Sequence, residues 1–439
     1  MAEDNEVAFD TADVTAMQDN DPAIRSEGDV VSFVQNRFKR AEDVRQQDEQ
    51  RWLKAYRNYR GLYGPDVQFT ETEKSRVFVK VTKTKTLAAY GQIIDVLFGN
   101  NNFPLTVNPT KLPDGVAESV HINIDPNAEK GQDELRQAFE DKPSEPFLFK
   151  PNGKLQPGET LQDLQNRLGA AENKLGTVSE KIIEGQGTTN TTVTFHPAMI
   201  AAKKMEKKIH DQLEESGANK QLRNTAFEMA LFGTGIMKGP FALDKEYPNW
   251  NEDGEYDPLI KTVPSTSHVS MWNFYPDPDA YSMDEAEYCV ERHKLSKTQM
   301  RNLKNRPYFR AESIEECLDM GAQYDKKYWE DDMKDYAIEN YSERYEVLEF
   351  WGYVDSAILE ENGVDIPAEL QELEQINCNI WVCQGHVLRM VLNPFKPVRI
   401  PYYAVPYEHN PYSFFGVGIA ENMDDTQTLM NGFMRMAID

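Results

Sequence analysis
The period of the hydrophobic pattern changes at Phe232-Gly-Thr-Gly-Ile236, and that change constrains this 439-residue chain more than any other feature. Upstream, large apolar residues recur every three to four positions, the spacing that lines one face of a helix. Downstream, from Ile236 to about Tyr407, they gather in short runs separated by turn residues, the pattern of strands. A helical N-terminal part leading into a strand-rich part makes the expected class α+β, with mostly antiparallel pairing. At roughly 100–200 residues per domain the length allows two or three domains. A hydrophobic share of 40% supplies a core.

Residues 1–28 are acid-rich with few large apolar groups and read as a flexible tail; they lack the basic start and apolar middle of a secretion signal. Residues 29–109 form the N-terminal helical part. Asp29 is the expected N-cap of a helix in which Val31, Val34, Phe38, Ala41, Val44, Trp52, Ala55, Tyr56 and Tyr59 recur through Arg60. A polar patch interrupts that stripe near Gln47–Glu49, and Gly61 with Gly64-Pro65 ends it. A second helix is expected over Thr86–Phe98, and a strand over residues 103–109. Residues 110–195, rich in Pro, Gly, Asn, Gln and acids, read as an insertion or mobile arm with one polar helix around Leu161–Ile183. Residues 196–235 hold a helical pair, the first helix stopping at Gly217 and the second running roughly from Lys220 to Phe232. Residues 236–415 form the α+β part, with helical pieces near Ser296–Asn305 and Ser313–Tyr328. Residues 416–439 begin a helix whose apolar period meets no Gly, Asn or Pro stop signal before Asp439, so a longer native helix is expected.

Several chemistries lack their residues. No G-x-x-x-x-G-K-[ST], G-x-S-x-G or H-E-x-x-H occurs. Gly233-Thr-Gly235 and Gly416-Val-Gly418 are only G-x-G fragments, and the first follows a helix, the reverse of a dinucleotide-binding order. An EF-hand counted from Asp277 would place Ser282 and Tyr288 where Gly and Glu are required. Asp277-Pro278-Asp279 is better read as a turn after a strand, with Ser282 or Asp284 opening a helix. Cys378, Cys383 and His386 are three zinc-ligand types, but no fourth stands nearby and the segment alternates like a hairpin around Gln384-Gly385, so buried thiols are expected. The four cysteines form no disulfide framework, as in a protein made in a reducing cytoplasm. No metal or cofactor is expected.

The net charge of −26, from 73 acids against 47 basic residues, argues against a tight grip on DNA phosphates. It is compatible with a wall that DNA passes without sticking, and equally with plain solubility. Trp329, Trp351 and Trp381 lack basic interleaving and read as core or subunit-contact residues rather than base-stacking platforms.

Three stretches together carry a resemblance. The first is Ala226-Phe-Glu-Met-Ala-Leu-Phe-Gly-Thr-Gly-Ile236. The second is Trp272-Asn-Phe-Tyr-Pro-Asp-Pro-Asp-Ala280, followed by Asp284-Glu-Ala-Glu-Tyr288 and Glu291-Arg-His-Lys-Leu295. The third runs from Ile400-Pro-Tyr to Phe415-Gly-Val-Gly-Ile-Ala420 and on to the helix face Gln427, Asn431, Arg435 and Asp439. In this order the chain resembles the portal proteins, or head-to-tail connectors, of short-tailed bacteriophages. Gly233, Gly235, Asp277, Pro278, Asp279, Gly416 and Gly418 are then structural motif residues.

The resemblance implies a non-enzymatic, portal-like α+β wing leading into a long stem helix, with the clip and C-terminal regions of the family not included in this sequence. It further implies a homo-oligomeric, dodecameric ring at one capsid vertex of the virion, conducting double-stranded DNA during packaging and ejection. The implied partners are major capsid and scaffolding proteins, the terminase large subunit and head–tail adaptor proteins. Glu421, Asp424 and Asp425 are the candidate channel-facing acids. Two other classes stay open: another ring-forming phage head–tail or tail protein, and a metal-dependent nuclease built on dispersed acids.

Overall fold
A 34-residue helix, α1 (Glu27–Arg60), supplies the apolar and charged stripe on which much of the protein is packed. The computed structural model describes residues 27–439 except 66, 70, 72–73, 100–102, 104, 111–119, 125–177, 182–189, 196, 252–254 and 334–342. The expected tail therefore lies outside the described residues except for its last two, which already belong to α1, so the helix begins before Asp29. Its buried stripe runs Val31, Val34, Phe38, Ala41, then Arg45, Glu49, Trp52 and Ala55. Val44, expected on that stripe, is exposed, because a step of four from Ala41 leads to Arg45. At the far end Gly61 takes φ +81° and its N–H donates to Arg57 O at 2.8 Å, the left-handed stop that glycine makes at no steric cost. The second helix, α2, begins five residues earlier than expected and spans Val81–Phe98.

The chain divides into two compact units, residues 1–95 with 218–439, and residues 96–217. The strands of the larger unit are β4 (Thr234–Tyr247), β5 (Leu259–Val269), β6 (Phe274–Pro276), β7 (Tyr288–Ser296), β8 (Arg344–Asp355), β9 (Gln375–Cys383), β10 (His386–Leu392) and β11 (Tyr402–Pro406). They form a five-stranded antiparallel sheet in the order β10-β9-β8-β7-β6, and a three-stranded one in the order β11-β4-β5. In the smaller unit β1 (Val120–Ile124), β2 (Val178–Lys181) and β3 (Asn190–Phe195) pair in the antiparallel order β1-β3-β2. The class is mixed α+β with antiparallel sheets, as the change of period implies.

Alternation assigns the two faces of the five-stranded sheet. Even-numbered residues of β7, β8 and β9 (Val290, Phe350, Ile380) pack with the first half of α1. Odd-numbered ones (Cys289, Trp351, Trp381, Cys383) join two other clusters. Cys378 and Cys383, five positions apart on β9, thus point to opposite faces and cannot share a metal. His386 instead lies 3.0 Å from Glu316. All four cysteines are buried free thiols. Trp329, Trp351 and Trp381 are buried, and Trp329 packs on Trp272 with ring centroids 4.8 Å apart.

Four local expectations need correction. Residues 103 and 105–109 form no strand, because Val107 N–H donates to Glu206 Oε2 (3.0 Å) and Leu105 O lies 3.1 Å from His210 Nε2, so helix side chains occupy the backbone groups a neighbouring strand would use. Val178–Lys181 is a strand paired with the Thr-rich β3 rather than the end of a polar helix; residues 161–177 lie outside the described residues. The helix expected over Ser313–Tyr328 starts earlier, at Ala311, and ends at Met320, where Gly321 has φ +85°; a separate short helix follows over Tyr328–Met333. The helix expected near Ser296–Asn305 is present, spanning Lys297–Leu303 behind a Ser296/Gln299 capping box. No helix opens at Ser282 or Asp284, since the chain returns to β7 at Tyr288 through turns, and Glu285 caps Tyr281 N–H instead.

The two G-x-G fragments meet in space. Between α4 (Ala218–Phe232), which follows α3 (Pro197–Glu215) in the chain, and β4, Gly233 takes φ +104°. A Cβ there would lie 2.4 Å from Gly416 O and 2.6 Å from Gly418 N. A Cβ on Gly418 would lie 2.5 Å from Leu231 O and 2.7 Å from Gly233 N. These glycines are required by backbone crossing backbone, a stronger demand than stopping a helix. Gly418→Ala, whose backbone φ is ordinary, should lower stability by about 1–3 kcal/mol through overpacking. Gly432→Ala, with nothing within 4 Å, should be neutral or stabilising. Urea unfolding midpoints of the two variants check this, and equal midpoints would refute the crossing argument.

Candidate functional site
Cross-strand register builds a charged cluster that periodicity does not announce. Glu291 on β7 pairs directly with Glu349 on β8, and Glu349 with Trp381 on β9, so two carboxylates face each other on one sheet face. Like charges so placed repel. Lys238 on β4 resolves this, its Nζ 2.8 Å from Glu291 Oε2 and 2.5 Å from Glu349 Oε2. His293, two residues along β7 on the same face, brings Nε2 to 2.7 Å from Glu349 Oε2 and stacks on Trp381 at 4.9 Å. Tyr402 on β11 donates to Glu291 (2.6 Å), and Trp351 Nε1 donates to Glu349 (2.7 Å). The cluster thereby ties β4 and β11 of one sheet to β7 and β8 of the other.

Burial works to raise the Glu349 carboxyl, but Lys238 and His293 outweigh it and hold the group well below the usual carboxylate range. Burial likewise works to lower Lys238, and Glu349 with Glu291 overcomes it, leaving the ammonium above its ordinary value. The Glu349 contribution to stability is therefore present above the unfolded carboxylate pKa of 4.5 and is lost as pH falls through the depressed folded value. The Lys238 contribution is present below 10.5 and is lost as pH rises through the raised one. Neutral pH lies within both windows.

Glu291, His293 and Glu349 bring ligand atoms within 4.8 Å of one another, the only such group among the described residues. The ammonium of Lys238 occupies the place between the carboxylates where a divalent ion would bind, so the set fits an internal ion-pair network better than a metal centre. In the sequence Glu291-Arg-His stands within a candidate strand and within the resemblance, with no sign of a charged cluster. Its partners come from other strands, and no local signal links them.

A second buried charge lies within α1. The Arg45 guanidinium uses every donor it has: Nε and Nη2 on Glu49 Oε1, Nη1 on Met271 O (3.0 Å) and Phe274 O (2.5 Å), and Nη2 also on Trp272 O (3.1 Å). It also lies 3.6 Å from the Tyr275 ring centroid. Arg45 thus pins the segment leading to the Asp277-Pro278-Asp279 turn. There Asp277 accepts from Asp279 N–H and Glu287 N–H, each at 3.3 Å, while Asp279 pairs with Arg40 at 2.6 Å. The expected turn chemistry is present.

After α5 (Lys297–Leu303), α6 (Ala311–Met320), α7 (Tyr328–Met333), α8 (Ser356–Glu361) and α9 (Ile419–Asn422), which buries Ala420, the last helix, α10 (Asp424–Ile438), inverts the usual order of burial. Along the face expected to carry Gln427, Asn431, Arg435 and Asp439, polar groups grip the backbone of residues 74–82. Gln427 Oε1 accepts from Thr82 N–H (3.1 Å), Asn431 Oδ1 from Val79 N–H (2.9 Å) and Asp439 Oδ1 from Ser75 N–H (2.8 Å), while Gln427 Nε2 donates to Val79 O. Leu429 (61% exposed), Phe433 (62%) and Met436 (70%) lie outside. Of the candidate acids, Glu421 pairs with Arg51 at 3.1 Å and Asp424 with Lys54 at 2.6 Å, both toward α1. Asp425 is exposed.

No protein-family model matches the chain, and no curated protein does either. No helix among the described residues is long and apolar enough to cross a membrane.

Proposed function
We propose that the chain is the subunit of a self-assembled, portal-type ring through which double-stranded DNA passes, without chemistry of its own. The observation that carries the reading is α10, whose polar face is consumed inside the subunit while Leu429, Phe433 and Met436 stay exposed. Water is a poor neighbour for such a stripe, and a copy of the same chain is the partner always at hand. The three stretches that resemble portal proteins support it. The first and third are built onto one another at the Gly233/Gly418 crossing, and the second opens with the segment pinned by Arg45. The acidic balance suits a passage that does not trap phosphate. Of the three acids first assigned to the bore, Asp425 is the one whose carboxylate is exposed. Glu421 and Asp424 serve the α1 contact.

The same reading proposes a place for this chain at a capsid vertex of the virion, with scaffolding and major capsid proteins around the ring and the terminase large subunit and head–tail adaptors at its ends. Negative-stain imaging and sedimentation velocity of the purified chain test it. Annular particles with a central hole are expected, and Phe433→Glu with Met436→Glu should shift the population toward monomer. A folded preparation that stays monomeric at every concentration, or that hydrolyses nucleotide alone, overturns the reading.

A further inference from the structure
The run from Lys297 to Arg310 carries five cations, Lys297, Arg301, Lys304, Arg306 and Arg310, and no acid, in a chain whose net charge is −26. Lys304 pairs with Glu315 at 2.5 Å, and Arg310 donates to Asn362 O at 2.9 Å. Lys297 and Arg301 line a cleft that Glu315 and Asp319 of α6 also line, so acids of the same subunit share it with them. Arg306 differs. It is exposed in the turn after α5, and among the described residues its guanidinium has no hydrogen-bond or ion-pair partner.

Packing brings a second guanidinium within its field. Arg389 on β10 stands just past a break in register after Val387, pairing with Trp381 on one side and, in an isolated bridge, with Phe309 on the other. A bulge of this kind re-aims the side chain that follows it. Arg389 Cζ lies 5.4 Å from the Phe309 ring centroid, and Phe309 stands edge-on to Trp381 at 5.3 Å. The side chain is half-buried, and its Nε is sealed from solvent with no acceptor among the described residues. Burial pushes the guanidinium below its ordinary pKa; Glu349 opposes this and Arg306 adds to it. Glu349 gives little relief, because Lys238, His293 and Trp351 already hold its oxygens. Tyr308, in the same turn as Arg306, is 74% exposed and holds φ +66°, a strained conformation of the kind that gathers at ligand sites.

We infer that Arg306 and Arg389 together take one phosphate group of a nucleic-acid backbone. The inference rests on the reading of the chain as a subunit that DNA passes, and it names the side chains that touch the DNA. Two guanidiniums that repel each other and lack acceptors are relieved by a single oxyanion, and the arginine fork matches phosphate oxygens. An exposed turn lets a strand lie across the site, and Lys297 and Arg301, exposed in the same run, favour an extended polyanion over a lone carboxylate. One such contact in an acidic protein holds the backbone weakly and without regard to sequence, so it leaves passage open.

Fluorescence anisotropy of a labelled short DNA duplex with the full chain tests this. R306S/R389M should bind about tenfold more weakly than the parent at low salt, for any duplex sequence, and lower the slope of log affinity against log salt by about one. R306S alone changes an exposed residue, so it keeps the fold and should go part of the way. Thermal melts of both variants check folding. A parent that does not bind the duplex at low salt, or variants that bind it like the parent, overturn the contact while leaving the ring reading to its own imaging test. Duplex binding through both arginines by a chain that never forms rings supports the contact and overturns the ring. Inorganic phosphate that raises the melting temperature of the parent but not of R306S, without duplex binding, assigns the site to a free anion and overturns the inference. Loss of self-association in R306S with duplex binding unchanged assigns the arginines to a carboxylate of another copy and overturns it too.

Discussion

Lys238→Met should be among the most damaging single substitutions in the protein, costing about 3–5 kcal/mol at pH 7, because it leaves buried negative charge uncompensated. The side chain bridges Glu291 and Glu349, which the strand register holds directly opposite each other. Methionine preserves most of the volume, so the loss isolates charge rather than packing. The deficit should shrink toward about pH 4, where carboxylates with no cation between them take up protons more readily than Glu349 does in the parent. The parent behaves oppositely, because its depressed Glu349 loses its contribution as pH falls. Urea unfolding of both proteins at the two pH values checks this, and a deficit independent of pH would show that Lys238 acts through packing alone. Adding Glu349→Gln to Lys238→Met should restore part of the loss at pH 7, since it removes one of the stranded charges.

Arg45→Met should cost a similar amount, about 3–5 kcal/mol, for a related reason. It strands Glu49, 3% exposed, and removes the donors from three carbonyls, those of Met271, Trp272 and Phe274. Those carbonyls belong to the segment that enters the Asp277 turn, so the loss should be felt beyond α1. Hydrogen exchange should quicken at residues 271–276 more than at β9, on the far side of β8. Arg45→Met/Glu49→Leu should recover stability relative to Arg45→Met, because apolar groups replacing both partners leave no unpaired charge. Uniform exchange across the sheet, or no recovery in the double variant, would place the role of Arg45 elsewhere.

Arg45 also shows how far the chain could be read alone. The stripe of α1 passes from Ala41 through Arg45 and Glu49 to Trp52 in steps of four, four and three, so the phase that buries them is written in the sequence. The residue types argue the other way. An arginine and a glutamate four apart are usually a solvated pair on a helix surface, and only the three carbonyls supplied from residues 271–274 make burial favourable. The hairpin at Gln384-Gly385 was legible because the residue types and the turn agree, with φ +48° and +88°. The strand expected at residues 103–109 failed because α3 side chains took over its backbone partners.

Periodicity, helix stops and turn chemistry determined the class of this fold from the sequence by itself, because each depends on the geometry of a few consecutive residues. They placed α1, α4 and the strand-rich region from β4 to β11. Only the tertiary structure decided that Glu291 faces Glu349 across Lys238, that Gly233 meets Gly418, and that a helix beginning at Asp424 turns its apolar side outward. Those juxtapositions are set by strand register and by backbones crossing at van der Waals distance. Both are products of packing between segments far apart in the chain, and no local pattern encodes them.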